Sequence, residues 1–487
     1  MKNREILMDV IGDVDEKLVP SVSEKAKKRS VAKWVALGGA CAAAVIAAVI
    51  FLPKLGADVL SSSKPDSSEN VSRPQYDDKA YPLAMPVYPD MPEYPLEGDA
   101  EGYDAWRESI QSLREHPMGY GYGFDSFFTE SSKVFLAGAE NENIVYSPLS
   151  LYMALGMSAE ICDGNSRQQI LEVLAQDNIE ALRENARAVW RANYMDDGMA
   201  KCVLATSLWT NNNCAYNQSI IDTLAGNYYS SIYTGDPAEE SYNKLMQDWL
   251  NEQTDGLLSE YVSDIRMDPQ MILTIASTVN YSGKWTDEFS DKNTRESMFY
   301  SPQGDVKCEF LNAQRNTAYY WGDKFSAIEL SLENNGEMRI ILPDEGVSPQ
   351  ELLSDEQVLE YITKYNGYEN YKFVSVNMSV PKFDVSSEID LKDGLSQLGI
   401  TDIFDSEKAD FSPLSENLGN VALSEAQHDA RVMIDEEGCK ASALTALQFA
   451  GFAMPEDEVD FVVDRPFIFE IVSETGLPLF IGIVNNP

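Results

Sequence analysis

The chain has 487 residues, of which 79 are acidic and 37 basic, so its formal net charge is −42. This excess of acid argues against nucleic-acid binding, which needs a basic surface, and favours attraction of basic proteins. Two histidines, His116 and His428, lie outside the motifs of serine hydrolases and zinc proteases. We therefore expect no enzyme, no metal site and no cofactor. The six cysteines form no CxxC pair, which predicts free thiols and leaves Cys202–Cys214 as the one pairing to test.

The amino-terminal part of the chain predicts a membrane anchor. Residues 34–52 are 19 apolar residues without a charge, and as a helix they would span roughly 28 Å. Basic residues end the preceding segment 1–33, which places that segment in the cytoplasm. A buried core helix and a cleaved signal peptide, which would make the protein secreted, are the alternatives.

A proline-rich stretch follows this apolar run. Residues 53–118 contain nine prolines and a serine-rich patch, a composition typical of an extended, semi-rigid chain. We therefore predict an extracellular linker that holds the domain of residues 119–487 away from the membrane.

From Phe124 onward the pattern becomes that of a globular domain. A helix is predicted at Phe124, and a short strand from residue 143 precedes a second helix capped near Ser147. Residues 163–167 predict a turn before a third helix. Strands are predicted at 203–209, 272–281, 327–332, 338–342, 371–380 and 461–472. They occur in clusters, which favours an α+β fold with large, mainly antiparallel sheets.

One stretch near the carboxyl terminus has a conflicting pattern. Residues 435–455 lie between acidic clusters, are rich in small residues and lack a strong anchor for a core helix. From Cys439 the alternate residues are small or apolar, and the intervening set is more polar. A period of two is a strand signal. The sequence thus predicts a loop that carries the pattern of a strand.

Several segments between residues 124 and 487 match, in order, the motifs of one family. They include an Asn-Ile-Val-Tyr-Ser-Pro-Leu-Ser segment, a Gly-Lys-Trp segment and an Asp-Arg-Pro-Phe segment. The matching segments lie at 143–150, 248–256, 283–289, 338–346, 380–383, 398–404, 464–467 and 479–487. Together they resemble the serpins, the serine protease inhibitor family. The sequence is identified as a bacterial, membrane-anchored member, with the serpin fold of large sheets, surrounding helices and an exposed reactive-centre loop.

The resemblance implies a use for residues 435–455. In serpins this loop is bait: after cleavage and acyl-enzyme formation it inserts into the central sheet as a new strand. About 15 inserted residues at roughly 3.3 Å each would move a tethered protease by some 50 Å and distort its oxyanion hole. The hinge segment that enters first would be Glu437, Gly438, Cys439, Lys440, Ala441, Ser442, Ala443, Leu444 and Thr445.

The side chains of the hinge segment fit that role. Cys439, Ala441, Ala443 and Thr445 would face inward and are small. Family inhibitors usually carry Thr or Ser in place of Cys439, Glu in place of Lys440, and Ala in place of Leu444. Cysteine tolerates burial, and the other two would face outward, so these departures are compatible with inhibition.

The resemblance also places the bond that the protease cuts. Fifteen residues from Gly438, counted inclusively, reach Phe452, which predicts the bond Phe452–Ala453. A phenylalanine on the amino side suits the hydrophobic slot of chymotrypsin-like enzymes. Shifts to Ala450–Gly451 or Ala453–Met454 would suit elastase-like or subtilisin-like enzymes.

Two further sets of residues follow from the resemblance. Ser147, Ser150 and His428 match the serpin shutter, a buried hydrogen-bonded cluster where the sheet strands part. Ser277 stands where the family has Asn, so either water or Asn280 compensates or the shutter is looser. Trp285 matches the breach, at the top of the sheet where the loop enters. We expect His428 to be structural and not a catalytic base.

The sequence therefore predicts a monomeric suicide inhibitor. Its target would be a chymotrypsin-like serine protease or a protease similar to neutrophil elastase or cathepsin G. It would be held in the cell membrane by its amino-terminal helix with the serpin domain outside. A non-inhibitory serpin that binds a ligand or has a structural role is the main alternative. Inhibition of subtilisin-like or cysteine proteases is another.

Overall fold

A computed structural model of the chain describes residues 41–51, 80–95, 99–113, 124–139, 141–263, 265–333, 336–363, 368–438, 455 and 457–487. Two large sheets and the helices packed around them form the domain. The prediction of an α+β fold with mainly antiparallel sheets is confirmed.

The helices lie mostly in the first half of the described chain. They are α1 (Ala100–Leu113), α2 (Phe124–Leu136), α3 (Pro148–Ile161), α4 (Gly164–Val173), α5 (Ile179–Asn193), α6 (Gln218–Asn227), α7 (Glu240–Gln253), α8 (Ser259–Val262), α9 (Pro349–Leu352), α10 (Glu356–Thr363) and α11 (Leu391–Leu398).

The strands of the central sheet lie in the order β13-β14-β1-β7-β5-β6-β2, with β4 paired to β5. Their bounds are β1 (Cys41–Phe51), β2 (Ala80–Ala84), β4 (Met195–Asp196), β5 (Lys201–Asn211), β6 (Ser230–Gly235), β7 (Met271–Ser282), β13 (Phe383–Asp390) and β14 (Ala422–Ile434). Apart from the parallel pair β5–β6, neighbouring strands are antiparallel.

The second sheet has the order β15-β12-β9-β10-β11-β16-β17-β3, with β8 paired to β9. Its strands are β3 (Ile144–Tyr146), β8 (Arg295–Ser301), β9 (Gly304–Trp321), β10 (Phe325–Ser331), β11 (Glu337–Pro343), β12 (Tyr371–Pro381), β15 (Glu458–Val462), β16 (Phe467–Val472) and β17 (Pro478–Val484). The single strand predicted at 461–472 is two strands, because the chain is interrupted at Pro466, which has no backbone N–H to donate.

Helix α3 lies at the centre of the domain. Every one of its residues is buried, from Pro148 to Ile161, and it packs against β7 and β17. A helix that is apolar all round is stable only inside a core. Its amino terminus, at Ser147, therefore lies in the interior beside the central sheet.

The apolar run predicted as a membrane helix contains a strand in the structure. Residues 41–51 form β1, which pairs antiparallel with β7 on one side and with β14 on the other. A continuous apolar run with Val and Ile suits a central strand as well as a helix, and the edges of β7 and β14 offer backbone partners along its length. The rest of the predicted span, 34–40 and 52, lies outside the described residues. None of the helices in the described ranges is long and apolar enough to cross a membrane.

The stretch predicted as a linker is folded between residues 80 and 113. Strand β2 extends the central sheet beyond β6, and α1 follows it. The Tyr88 ring lies 5.0 Å from the Trp190 ring of α5, and Trp106 Nε1 donates to Asp197 Oδ2 at 3.0 Å. Interspersed aromatic side chains anchor this segment despite its prolines, because burying each ring stabilises the packed state. Residues 53–79, 96–98 and 114–118 of the predicted linker lie outside the described residues.

None of the cysteines that the structure describes with their side chains is in a disulfide: Cys162, Cys202, Cys214 and Cys308. Cys202 lies near the start of β5, and Cys214 follows the end of that strand. An extended strand of this length separates the two by far more than the 7 Å that a disulfide allows. The expectation that the cysteines form no disulfide is confirmed for these four residues.

A buried cluster of charges crosses the second sheet. Arg339 on β11 lies opposite Glu329 on β10 and Glu470 on β16, and its guanidinium is 3.3 Å from Glu470 and 2.6 Å from Glu337. Burial raises the pKa of the fully buried Glu470 to about 8 and that of Glu329 to about 7. Because a single arginine faces three carboxyl groups in the core, the protonated, uncharged form of some of these groups is favoured.

We expect the free energy of unfolding to fall between pH 5 and pH 8 because of this cluster. The folded-state pKa of Glu470 lies above its ordinary value of 4.5, so its contribution is fully present below pH 4.5 and is lost as the pH rises towards 8. The slope from one such group is at most about 1.4 kcal/mol per pH unit. Glu470→Gln should flatten the curve measured by urea unfolding.

The matched control for this experiment is Glu296→Gln, which changes an exposed glutamate paired with Lys307. It should leave the slope of the wild-type curve unchanged. If the curves of unfolding free energy against pH were parallel for Glu470→Gln and the wild type, the slope could not be assigned to Glu470.

Candidate functional site

The four predicted shutter residues meet beside the middle of the central sheet. Ser147 caps α3: its hydroxyl accepts from Ser150 N at 3.2 Å, and its own N–H donates to His428 Nε2 of β14 at 2.9 Å. Ser150 Oγ donates towards Ser277 of β7, at 3.1 Å from its hydroxyl and 3.3 Å from its carbonyl oxygen. The cluster therefore ties the start of α3 to both β7 and β14, the two strands that flank β1.

Burial keeps His428 neutral. It lowers the pKa of the imidazole to about 3, and a neutral ring is required because Nε2 accepts the Ser147 N–H. Its Nδ1 has no partner among the described side chains. Asn280 does not substitute for the missing family asparagine, because its Nδ2 donates to Asp255 Oδ2 at 2.8 Å. The hydrogen bond between the hydroxyls of Ser150 and Ser277 links α3 to β7 instead.

The segment where β14 ends is fixed to the chain around Trp285. Trp285 Nε1 donates to Asp435 O at 2.8 Å, and its backbone N–H donates to Glu437 O at 3.3 Å. Phe289 N donates to Glu436 O at 2.9 Å. Trp285 therefore lies beside the start of the loop, the position predicted for it from the family resemblance.

Gly438 occupies a position in which the backbone of any other residue would be strained. Its φ is 91°, and a Cβ built on it would lie 2.4 Å from Trp285 N. Only glycine accommodates both the positive φ and this close approach of two backbones. The hinge therefore begins at a fixed point, where Gly438 bridges to Lys284.

Glu436 was missed by the sequence reasoning. Its carboxylate accepts from Thr294 Oγ1 at 2.6 Å and pairs with Lys382 at 2.8 Å, and these partners lower its pKa against the effect of burial. The acidic run at 435–437 gave no sign that one member would be a partly buried anchor, because its partners are distant in sequence.

The loop itself lies outside the described residues from Cys439 to Met454. The inward and outward assignments of Cys439 to Thr445, and the bond Phe452–Ala453, therefore stay predictions. The far end of the loop is described: Ser375 N donates to Asp457 O at 3.0 Å, and Lys372 pairs with Asp457. The loop thus runs between two fixed points, Gly438 and Asp457.

The gap between β7 and β14 already contains a strand. Strand β1 pairs with β14 from Ala42 to Phe51 and with β7 from Cys41 to Phe51. The gap therefore accepts an added strand that is antiparallel to both neighbours. Any second strand would have to use the same backbone groups, so β1 and another occupant exclude each other.

No group of three or more His, Cys, Asp or Glu side chains in the described ranges is arranged to hold a metal ion. The functional features are a sheet that admits a strand, a fixed hinge and a loop between two anchors. A sequence profile described as Serpin (serine protease inhibitor) matches residues 125–487. The chain belongs to the serpin family. Serpins are generally protease inhibitors and not catalysts.

Individual serpins share the domain at low sequence identity. Human leukocyte elastase inhibitor is 27% identical over 368 residues, which cover 73% of this chain and 96% of the relative. The native state of tengpin, a thermophilic serpin, superposes with a TM-score of 0.66 at 25% identity and covers 84% of this chain and 100% of its own. Human thyroxine-binding globulin, solved with its hormone, has a TM-score of 0.63 at 20% identity, with 75% and 99% covered. This last likeness shows the fold alone.

Proposed function

We propose that this serpin is a suicide-substrate inhibitor of chymotrypsin-like or elastase-like serine proteases. The protease attacks Phe452–Ala453, and the cleaved loop then enters the gap between β7 and β14 while the acyl bond is intact. The observation that carries the proposal is the gap between β7 and β14, because β1 lies in it antiparallel to both neighbours, the direction that an inserted loop would take once β1 has left.

The hinge supports the same mechanism. Gly438 lies four residues beyond the end of β14, within the predicted hinge segment, and its backbone bridges to Lys284 just beyond the end of β7. Insertion from this point can extend one residue at a time between two aligned edges. The small residues of the inward set meet the requirement for burial.

The experiment is incubation of the full chain in lipid vesicles with chymotrypsin, followed by electrophoresis in SDS, because the apolar run needs a bilayer in order to leave the gap. We expect a covalent complex that survives denaturation and contains the chain cut after Phe452. Cleaved chain without complex would contradict inhibition. Phe452→Arg should slow reaction with chymotrypsin by on the order of 100-fold and allow a complex with trypsin, since the slot that binds this residue sets specificity.

Gln448→Arg is the control for the position of the bond. It places the same arginine four residues earlier in the loop. We expect trypsin to cut this variant without forming a stable complex. A stable trypsin complex with Gln448→Arg, and none with Phe452→Arg, would show that the register of the bond is wrong.

One observation favours a second function, that of a non-inhibitory serpin. Strand β1 fills the gap, and a serpin whose gap stays filled would be cut as a plain substrate and act through binding instead. Inhibition therefore requires that β1 leaves the gap. The membrane provides one destination: we propose that 34–52 crosses the bilayer in the anchored protein, with the serpin domain outside, and that the strand forms when no bilayer is present.

A further inference from the structure

Two aromatic side chains stand exposed on the outer face of the second sheet. Tyr371 is 56% exposed and Phe373 is 48% exposed, both at the start of β12. They lie on the same face, because side chains two residues apart in a strand point the same way. The Tyr371 ring rests 5.7 Å from the ring of Tyr320. Large exposed aromatic residues that lie together mark interaction surfaces more often than single ones do.

This pair lies beside the exit of the reactive loop. Strands β12 and β15 are parallel, with Ser375 opposite Glu458, so the chain just before Glu458 runs back towards Phe373 and Tyr371. Ser375 N donates to Asp457 O, and Lys372 pairs with Asp457. The end of the loop is therefore held at the edge of the aromatic pair.

A bound protease cannot stay clear of this surface. Asp457 lies five positions after Phe452 in the chain, a span of at most about 18 Å. A protease of about 240 residues has a radius of gyration of roughly 18 Å. Its surface must therefore lie against the base of the loop while its active site holds Phe452.

Acidic groups continue the same face. Glu458 and Asp460 on β15 both accept from Asn377 Nδ2, at 2.7 and 2.9 Å, and Gln314 Nε2 donates to Glu458 at 3.4 Å. Amide donors fix these carboxylates without neutralising them. An aromatic pair beside a fixed acidic strip suits a partner with an apolar contact and a basic rim.

We propose that Tyr371, Phe373, Glu458 and Asp460 form a second contact site for the target protease, outside its active-site cleft. This deepens the proposed function, since it rests on the protease binding the reactive loop. The aromatic pair supplies buried contact area, and the acidic strip raises the encounter rate. The target is then a serine protease whose surface beside the cleft is basic.

The test measures the second-order rate constant of the full chain with chymotrypsin at low and at physiological salt. The double variant Tyr371→Ser/Phe373→Ser should lower the rate constant about 10-fold. Glu458→Gln/Asp460→Asn should lower it two- to three-fold at low salt and weaken its salt dependence. Tyr300→Ser is the control, because Tyr300 is 53% exposed but its backbone N–H donates to Asp464 O, two residues beyond the end of β15 and away from the loop.

A rate constant for the double variant within two-fold of the wild type overturns the proposal. A faster reaction also overturns it, because the pair would then be covering the chain's own loop. The thermal midpoint should stay unchanged, which separates lost contact from lost folding. If the wild type forms no covalent complex, the inhibitory function fails, but kcat/KM for cleavage of the loop still measures the contact site.

Discussion

Thr445→Arg should convert the chain from an inhibitor into a substrate of chymotrypsin. Thr445 belongs to the inward set of the loop, and insertion would force a guanidinium into the core beneath the central sheet. Burying an unpaired charge costs several kcal/mol, which is enough to slow insertion below the rate of acyl-enzyme hydrolysis. We expect the stoichiometry of inhibition to rise more than 10-fold, while the rate of loop cleavage stays within two-fold. Titration of protease activity and SDS electrophoresis measure both quantities.

Leu444→Arg provides the matched control, since it places the same charge on the neighbouring, outward residue. It should keep the stoichiometry of the wild type. If the two variants behave alike, the period of two in the loop has no bearing on insertion. If Leu444→Arg alone loses inhibition, the assignment of the two faces is reversed.

Removal of residues 1–52 should lower the thermal midpoint and improve inhibition at the same time. The shortened chain lacks β1, so the facing edges of β7 and β14 lose their partner along about eleven residues. For a domain of this size 1 kcal/mol corresponds to little more than 1 °C, and we expect a decrease of roughly 10 °C. The free gap should bring the stoichiometry of inhibition closer to one. Calorimetry and protease titration in the same mild detergent compare the two chains.

Ala47→Pro in the full chain distinguishes the two proposed locations of the apolar run, the gap in the central sheet and the membrane. Ala47 lies in the middle of β1, opposite Ala276 and Gln427, where proline would remove a ladder bond and distort the strand. A membrane helix tolerates proline far better. The variant should lower the midpoint as the deletion does, whereas Ala57→Pro, outside β1, should not. Equal midpoints for the full and shortened chains would mean that β1 does not occupy the gap in solution.

Local signals were sufficient to predict much of the domain. Apolar runs predicted β5, β7, β10, β11 and β12 to within a few residues, and the serine before Pro148 marked the start of α3. The motif resemblance identified Ser147, Ser150, Ser277 and His428 as one cluster although they are up to 281 residues apart. Side-chain periodicity alone does not contain such long-range pairing.

Residues 41–51 and 80–95 show what the local sequence did not determine. Nineteen uncharged residues are compatible both with a membrane helix and with a central strand, because both surroundings are apolar. The two structures differ in where the backbone hydrogen bonds are made: within the helix, or to neighbouring strands. The prolines around Tyr88 predicted an extended spacer, but they did not reveal that the Trp190 ring packs against the Tyr88 ring. In both segments the sequence left the surrounding environment open, because a segment does not encode its neighbours.

Strand β2 also has a consequence for how copies of the chain behave in concentrated solution. An open sheet edge is a template on which a second chain can pair, and the edge of β6 would be one. Strand β2 covers it with five residues that include Pro82 and a register shift, features that make β2 a poor template in turn. The amino-terminal segment thus protects the sheet against self-association, and a chain shortened beyond residue 84 should form oligomers more readily.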